Sequence, residues 1–95
     1  MAFYTYMLAS RRNGTLYIGH TDDLARRMYE HKAKIRSCFT KGYSVTILVW
    51  YEVFETRDAA FVCERQLKNW KRNWKLQLIE AKNPHWRDLY QTLNA

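Results

Sequence analysis

Short runs of apolar and aromatic residues predict three β-strands. Residues 3–8 (FYTYML) and 15–19 (TLYIG) flank the dipeptide Asn13-Gly14, which favours the tight turn of a β-hairpin. A third run, residues 44–54 (SVTILVWYEVF), is apolar at successive positions, as is typical of a central strand that helices cover on both faces. The pattern therefore indicates a small three-stranded sheet flanked by helices.

Polar residues that suit helix starts follow the second and third of these runs. Thr21 or Asp22 can cap a helix, and Asp22 and Asp23 place negative charge at its positive N-terminal end. Thr56 can cap a longer helix that continues to Trp70 or beyond. One helix is therefore predicted after each of these two strands.

The last part of the chain predicts helical segments on either side of a proline. A short helix over residues 74–81 must end before Asn83, because the residue ahead of Pro84 disfavours helical geometry. Asn83 as a cap, with Pro84 at the first helical position, predicts a last turn or two over residues 86–93 (WRDLYQTL). The order β-β-α-β-α-α is that of an α/β (α+β) fold, and residues 1–95 are expected to form this one domain.

The helix after the second strand carries charged residues beside its apolar stripe. At 100° per residue, one face gathers four residues within about 60°, namely Leu24, Met28, His31 and Ile35. Arg27 lies about 60° from the edge of this stripe, one turn from His31, whereas Arg26 points the opposite way. Arg27 and His31 are therefore expected to border the buried face. The ordinary alternative is a surface pair whose aliphatic stems cover the core.

The helix after the third strand places a carboxylate near its inward face. Helical projection puts Glu64 between Ala60, Leu67 and Lys71. A lone carboxylate in that position is costly unless it is paired or binds a cation. Glu64 is therefore either a half-exposed or ion-paired structural residue or a ligand for a metal ion.

The charge balance favours an anionic partner. Sixteen Lys and Arg against nine Asp and Glu give a formal net charge of +7, which favours nucleic acid before membrane. No apolar run approaches the roughly 18 residues of a membrane span and no signal peptide is suggested, so a cytoplasmic protein is expected. Cys38 and Cys63 lack the paired spacing of a zinc site and are expected to be free thiols.

Five segments, in their order and spacing, together resemble the GIY-YIG nuclease superfamily. They are Tyr4-Thr5-Tyr6, Tyr17-Ile18-Gly19, residues 23–31 (DLARRMYEH) with Arg27 and His31, residues 59–68 (AAFVCERQLK) with Glu64, and residues 78–86 (LIEAKNPHW) with Asn83. The likeness covers about residues 3–89 and is greatest to the small stand-alone branch related to the nuclease domain of the bacterial excision-repair incision subunit. Tyr4 and Thr5 replace the Gly-Ile of the first motif. His20 stands where the excision-repair domains usually carry lysine, and its role is left open.

This resemblance implies a metal-dependent endonuclease that hydrolyses phosphodiester bonds in DNA. Glu64 would bind one divalent ion, Mg²⁺ or Mn²⁺, and Arg27 would offer bidentate donors to the same phosphate. Tyr6 or Tyr17 would take the proton of the attacking water, and the sequence does not choose between them. A free phenol has a pKa of about 10, so this base would need nearby cations.

Two further residues complete the site that the resemblance implies. His31 can hydrogen-bond the tyrosine or relay its proton, and Asn83 would anchor the end of the site through its side-chain amide while capping a helix. Because no second domain is predicted that could recognise a target, specificity is expected to come from a partner protein or from a structural feature of the nucleic acid.

Two other functions make different predictions. A non-catalytic nucleic-acid-binding module of the same fold is expected to lose Tyr, Arg or Glu from the motifs, and none is lost here. A protein interaction domain needs an exposed aromatic patch, for which Trp70, Trp74 and Trp86 are the candidates. These tryptophans could equally be core stripes or a stacking surface.

Overall fold

The computed structural model describes residues 2–33 and 45–93, and three strands and four helices lie within these ranges. The strands are β1 (Phe3–Ala9), β2 (Leu16–Thr21) and β3 (Ile47–Phe54), and the helices are α1 (Leu24–Ala33), α2 (Arg57–Asn69), α3 (Arg72–Lys82) and α4 (Tyr90–Leu93). The predicted order is confirmed, with α4 in the segment where a last turn was expected. Ile35, Cys38 and Ser44, on which parts of the predictions rest, lie outside the described residues. None of the helices in the described ranges is long and apolar enough to cross a membrane.

β1 is the central strand of the sheet. The strand order is β2-β1-β3, and β1 pairs antiparallel with both neighbours. The predicted hairpin turn between β1 and β2 is present. The N–H of Gly14 donates to the carbonyl of Arg11 at 2.9 Å, and Asn13 adopts a left-handed φ of 59° that asparagine tolerates well. The prediction that the third strand is central is wrong, because β3 lies at an edge of the sheet.

The apolar run in β3 reflects helices on both faces of the sheet rather than a strand on either side. Leu48 is buried in a cluster on one face, and Val49 and Trp50 are buried in a cluster on the other. Farther along the strand, Glu52 and Val53 are exposed. The pattern of apolar side chains indicates which faces of a strand are covered. It does not indicate which strands lie beside it, because neighbouring strands pair through backbone hydrogen bonds.

The sheet carries one hydrophobic cluster on each face. One cluster, which includes residues of α2 and α3, consists of Met7, Ala9, Ile18, Val49, Trp50, Leu67, Ile79 and Trp86. The other, which includes residues of α1, consists of Tyr6, Leu8, Leu24, Met28 and Leu48. Because successive strand residues point to opposite faces, Tyr6 faces α1 and Thr5 faces α2. The Thr5 hydroxyl donates to the carbonyl of Ala60 at 2.7 Å and ties β1 to α2 one turn before Glu64.

The helix starts have the expected capping chemistry, with one shift in position. Thr56 caps α2 as predicted, because its hydroxyl accepts a hydrogen bond from a backbone N–H in the first turn. At α1 the prediction of Thr21 or Asp22 is wrong. Asp23 fills this role, since its carboxylate accepts a hydrogen bond from the backbone N–H of Arg26 at 3.2 Å. Thr21 instead closes the preceding turn by accepting from the N–H of Asp23.

Asn83 ends a helix rather than starting one. α3 begins at Arg72, earlier than predicted, and the backbone N–H of Asn83 donates to the carbonyl of Ile79 at 2.8 Å. Asn83 is therefore the C-cap of α3, and Pro84 follows it in a turn. Asparagine before proline suits the end of one helix as well as the start of the next, so the sequence alone could not separate the two.

Candidate active site

Tyr6 lies at the centre of the candidate site because a glycine on the neighbouring strand leaves room for its ring. Tyr6 on β1 pairs with Gly19 on β2, and the tyrosine is 1% exposed. A Cβ atom at position 19 would lie 2.6 Å from the Tyr6 hydroxyl oxygen, well inside van der Waals contact. The glycine of the Tyr17-Ile18-Gly19 motif is therefore needed where this hydroxyl passes close to the backbone.

The rings of His31 and Tyr17 lie beside Tyr6. The Tyr6 hydroxyl oxygen lies 3.2 Å from Nε2 of His31. The centroid of the Tyr17 ring lies 6.3 Å from that of Tyr6 and 5.3 Å from that of His31. Tyr6 is buried whereas Tyr17 is 42% exposed, so one phenol belongs to the core and the other faces solvent. The fold thus brings together both candidate bases and the histidine predicted to act with them.

Arg27 reaches the same hydroxyl from α1. Burial raises the pKa of Tyr6 to about 12, and the nearby Arg27 guanidinium opposes this shift because its charge favours the phenolate. The contact with Tyr6 also raises the pKa of Arg27, which keeps it a cation. Arg27 Nη1 lies 3.3 Å from Oε1 of Glu30. Because a guanidinium has five N–H donors, this pairing leaves others free to meet a phosphate.

Arg26 does not point away from the site. Its side chain is 75% exposed, as expected for a solvated arginine, but it pairs with Glu30 at 3.5 Å and lines the same cleft as Arg27. The predicted opposite orientation is wrong because consecutive helix residues are only about 100° apart and a long side chain can span that angle. What distinguishes Arg27 is its contact with Tyr6.

Glu64 is buried on α2 and is held by two basic side chains. The residue is 8% exposed. His20 Nδ1 lies 2.6 Å from Oε1, and Lys68 Nζ lies 2.9 Å from Oε2. Burial alone would raise the pKa of Glu64, but the hydrogen bonds from His20 and Lys68 outweigh it and hold this pKa below its usual range. The cost expected for an inward carboxylate is thus offset by pairing.

His20 is the residue of this site to which sequence reasoning assigned no role. It lies opposite Thr5 in the antiparallel register and two residues after Ile18, whose side chain packs with the α2 cluster. Strand alternation therefore directs His20 toward α2 and Glu64. That signal was present in the sequence, because Ile18 is apolar and Glu64 was placed on the inward face of the helix. Using this signal to predict the contact between His20 and Glu64 would have required knowing that this face of β2 packs against α2.

A polar cleft is lined by Arg27, which contacts Tyr6, and by His20, which contacts Glu64. It has a volume of about 330 Å³ and is lined by His20, Thr21, Asp22, Asp23, Arg26, Arg27, Glu30 and Arg57. His20 links the cleft to Glu64, and Arg27 links it to Tyr6. The charge of Glu64 also acts on Tyr6, since it raises the pKa of the phenol in the same direction as burial. Of the predicted site residues, Arg27 lines this cleft, whereas Tyr6 and Glu64 lie behind it and contact the lining residues Arg27 and His20.

Asn83 lies in the scaffold, with its side chain fully used by backbone partners. Its amide nitrogen donates to the carbonyls of Val49 at 3.1 Å and Arg87 at 2.9 Å, and its amide oxygen accepts from the N–H of Arg87 at 3.0 Å. Asn83 is 5% exposed. It therefore fixes β3 to the end of α3, and its predicted part in the site stays a prediction.

Comparison with known proteins places this arrangement in a family. The family model of the GIY-YIG catalytic domain matches residues 2–77, most of the chain. The chain belongs to the GIY-YIG family. This GIY-YIG domain is 41% identical over 66 residues to a UPF0213 protein of Haloquadratum walsbyi, which covers 70% of the chain and 74% of the relative. It is also 35% identical over 80 residues to a UPF0213 protein of Clostridium perfringens, and this match covers 84% of the chain and 85% of the relative.

A solved structure supports the same assignment. The solution NMR structure of the UPF0213 protein BH0048 from Bacillus halodurans matches with a TM-score of 0.57 and 28% identity, covering 93% of both chains. The predicted family and the α+β fold are thereby confirmed. The family implies nuclease-like chemistry and nucleic-acid binding, and its members generally use a divalent metal ion.

The side chains beside the cleft suit a lightly ligated Mg²⁺ or Mn²⁺. Within residues 2–33 and 45–93, no group of three or more His, Cys, Asp or Glu residues could hold a metal ion. Mg²⁺ commonly binds through one or two carboxylates, several waters and substrate phosphates rather than through a cage of protein ligands. Glu64 could supply one such carboxylate, because its pKa is held low and His20, which it contacts at 2.6 Å, lines the cleft.

Proposed function

We propose that this GIY-YIG domain is a metal-dependent endonuclease that hydrolyses phosphodiester bonds in DNA. One observation carries the proposal. The buried Tyr6 hydroxyl lies 3.2 Å from Nε2 of His31 and in contact with the guanidinium of Arg27, which lines a polar cleft together with His20, the partner of Glu64. A buried phenol placed between a proton acceptor and a fixed positive charge is suited to move a proton.

Tyr6 and His31 would act together as the base. A phenol whose pKa is about 12 holds its proton at neutral pH. It must therefore pass this proton to an acceptor as it takes another from the water. The Tyr6 oxygen takes the proton of the attacking water while the Tyr6 proton passes to Nε2 of His31. The hydroxide then attacks phosphorus, and the leaving oxygen departs with the bonding pair and takes a proton from solvent. Tyr17 would hold the His31 ring in place, and it is the alternative base.

Arg27 and Glu64 would stabilise the charge that builds on the phosphate. The guanidinium can donate two parallel hydrogen bonds to phosphate oxygens, and it is already oriented by Tyr6 and Glu30. Glu64 would hold the divalent ion, and His20 would orient its carboxylate. When bound, such an ion supplies positive charge for a phosphate oxygen and for the leaving oxygen.

The alternative is a nucleic-acid-binding module of the same fold without catalysis. One observation favours it, because both Glu64 oxygens are already paired, with His20 and with Lys68, as in a structural ion-pair network. In that case Glu64 would serve only to fix α2 against the sheet. The two functions differ in a single measurable respect, which is whether strands are cut when a divalent ion is present.

The test is to incubate the protein with end-labelled single-stranded, duplex and branched DNA, and with RNA of the same sequence. Each substrate is assayed in Mg²⁺, in Mn²⁺ and in EDTA. We expect strand breaks in at least one DNA substrate with either ion and none in EDTA. Undiminished cleavage in EDTA would contradict the metal dependence. Absence of cleavage in every substrate and ion would favour the binding module.

A further inference from the structure

Two tryptophans lie exposed at the corner between α2 and α3. The segment 68–75 (KNWKRNWK) forms this corner, here called the tryptophan corner. Trp70, the C-cap of α2, is 37% exposed, and Trp74, in the first turn of α3, is 51% exposed. By contrast, Trp50 and Trp86 are buried in the core at 2% and 5% exposure. Exposing two large aromatic rings side by side is unfavourable for a free surface and indicates a binding role.

The two exposed rings are held in a fixed arrangement. Their centroids lie 6.0 Å apart and their planes cross at 84°. Between them, Arg72 donates from one terminal nitrogen to the carbonyls of Asn13 and Gly14, each at 2.7 Å. These bonds fasten the start of α3 to the β1–β2 turn. A flat ligand could therefore stack on one ring and meet the edge of the other without first ordering the corner.

The surroundings of the rings are basic. The segment contains four cationic residues and no acidic residue, the cations being Lys68, Lys71, Arg72 and Lys75. The ammonium of Lys71 lies 5.8 Å from the centroid of the Trp74 ring. Lys71 and Lys75 have no carboxylate within 4 Å in the part of the chain that the structure describes. Aromatic rings beside unpaired cations match a partner with flat bases and a negative backbone.

The tryptophan corner is connected to the candidate active site. Lys68 pairs with Glu64 at 2.9 Å, one helical turn away, and Trp70 follows two residues later. Six residues of α-helix separate Glu64 from Trp70, which corresponds to a rise of about 9 Å. The polar cleft lies at the other end of α2, beside Arg57, and the thirteen positions from Arg57 to Trp70 correspond to a rise of about 20 Å. A strand with its phosphate in the cleft would therefore have to extend over several nucleotides to reach the corner.

We propose that Trp70 and Trp74 form a stacking subsite for unpaired bases of the nucleic-acid strand that occupies the active site. This inference rests on the proposed nuclease function and names the structural feature that the enzyme selects. Bases within a duplex are covered by their neighbours, whereas unpaired bases offer a free face to an aromatic ring. The selected strand would therefore be single-stranded or would carry unpaired nucleotides several positions from the scissile phosphate. An acidic peptide is disfavoured because it offers no flat bases for the two rings to stack on.

The test measures binding in EDTA, so that cleavage plays no part. A short labelled oligothymidine strand and a blunt duplex of equal strand length are titrated with wild-type protein and with Trp70→Ala, Trp74→Ala and Tyr29→Ala. Tyr29 is an exposed aromatic on α1, 64% exposed, and serves as the matched control. We expect each tryptophan variant to bind oligothymidine about 5- to 100-fold more weakly, the usual effect of losing one stacked base. Duplex binding and the Tyr29 variant should change less than about twofold, because no stacked base is lost in either case.

Two further readouts separate stacking from a loss of folding. Trp70→Phe and Trp74→Phe should recover most of the single-strand affinity, since phenylalanine keeps a stacking face. The intrinsic tryptophan fluorescence of the wild type should be quenched by oligothymidine, and this quenching should fall in both alanine variants. Circular dichroism would verify that each variant keeps the wild-type helix content.

Several outcomes would overturn the stacking subsite. These are unchanged single-strand affinity in both alanine variants, or an equal loss for duplex and single strand. Another is quenching by an acidic polyglutamate peptide as strong as that by oligothymidine, which would identify a protein-docking surface instead. Failure of the nuclease proposal looks different, since the wild type would then bind oligothymidine through both tryptophans yet cut no substrate in Mg²⁺ or Mn²⁺.

Discussion

The candidate active site and the tryptophan corner share helix α2 and use opposite physical means. At the active site, Tyr6 and Glu64 are buried and hydrogen-bonded, and burial raises the pKa of the tyrosine. At the corner, Trp70 and Trp74 stay exposed beside the cation Lys71, which is exposed as well. Chemistry needs groups whose proton affinities have been altered, which requires burial with partners. Holding a strand needs only accessible surface and charge. Each prediction below tests one side of this contrast.

The largest effect is expected when the buried carboxylate loses its charge. Glu64→Gln keeps the side-chain volume but removes the anion that would hold the divalent ion. The cleavage rate in Mn²⁺ should fall by about a thousandfold or more. Glu55→Gln, at an exposed glutamate just after β3, should leave the rate unchanged. Initial rates on a labelled substrate check this, and equal rates for Glu64→Gln and the wild type would remove the proposed role.

The next effect separates two arginines that line one cleft. Arg27→Ala should lower the cleavage rate by about two orders of magnitude or more, the usual loss for a donor to transition-state charge. Arg26→Ala should cost only about a fewfold loss in binding, because its exposed guanidinium contributes mainly long-range attraction. Single-turnover rates and binding constants distinguish the two. Equal losses would show that contact with Tyr6 does not set Arg27 apart.

A smaller effect is expected on stability at alkaline pH. The pKa of Tyr6 is about 12 in the folded protein against 10.0 for an ordinary tyrosine, so between these values the folded chain holds a proton that the unfolded chain releases. The stabilisation is fully present below pH 10 and is lost as pH rises towards 12, by up to about 3 kcal/mol. Tyr6→Phe should lack this loss, whereas Tyr29→Phe, at an exposed ring, should keep it. Urea unfolding at a series of pH values measures the difference, and parallel curves for Tyr6→Phe and the wild type would contradict it.

Lys68 connects the two regions and should oppose metal binding. Its ammonium occupies Oε2 of Glu64, so a divalent ion must share or displace it. Because Lys68 is half exposed, the pairing is weak, and Lys68→Met should tighten Mn²⁺ binding by only about two- to fivefold. Lys75→Met, without this contact, should have no effect. Titration followed by electron paramagnetic resonance of free Mn²⁺ measures the affinity. Unchanged or weaker Mn²⁺ binding by Lys68→Met would mean that Lys68 does not compete with the metal ion for the Glu64 carboxylate.

The last measurement separates charge from stacking at the corner. If the basic surface contacts about three to six phosphates, raising salt from 50 to 200 mM should weaken binding by about ten to a thousandfold. Lys71→Ala should make the log–log slope shallower by about 0.7 to 0.9, the share of one phosphate. Trp74→Ala should weaken binding without changing the slope. These slopes are measured with the Glu64→Gln protein, and a flat salt dependence would show that the charge of +7 is only a solvated surface.

The sequence predicted the elements and the inward faces of α1 and α2, because these depend on local periodicity. Glu64 was placed beside Ala60 and Leu67, and all three are buried. It did not predict the position of β3, since helices on both faces produce the same apolar run at an edge as at the centre. The partner of His20 could not be found because it requires the packing of β2 against α2. For Asn83, the same residue pair suits either end of a helix.

The close approach of Tyr6 to Gly19 means that a change at one of these two positions constrains the residue at the other. The ring of Tyr6 is packed on all sides, so it cannot shift to admit a methyl group at position 19. Any side chain at position 19 therefore demands a smaller residue at position 6, and the hydroxyl disappears with the ring. Relatives of this fold that carry a side chain at position 19 should consequently also carry a smaller residue at position 6. Exchange of the glycine alone is expected to destabilise the fold by about 1 to 3 kcal/mol, the usual cost of overpacking.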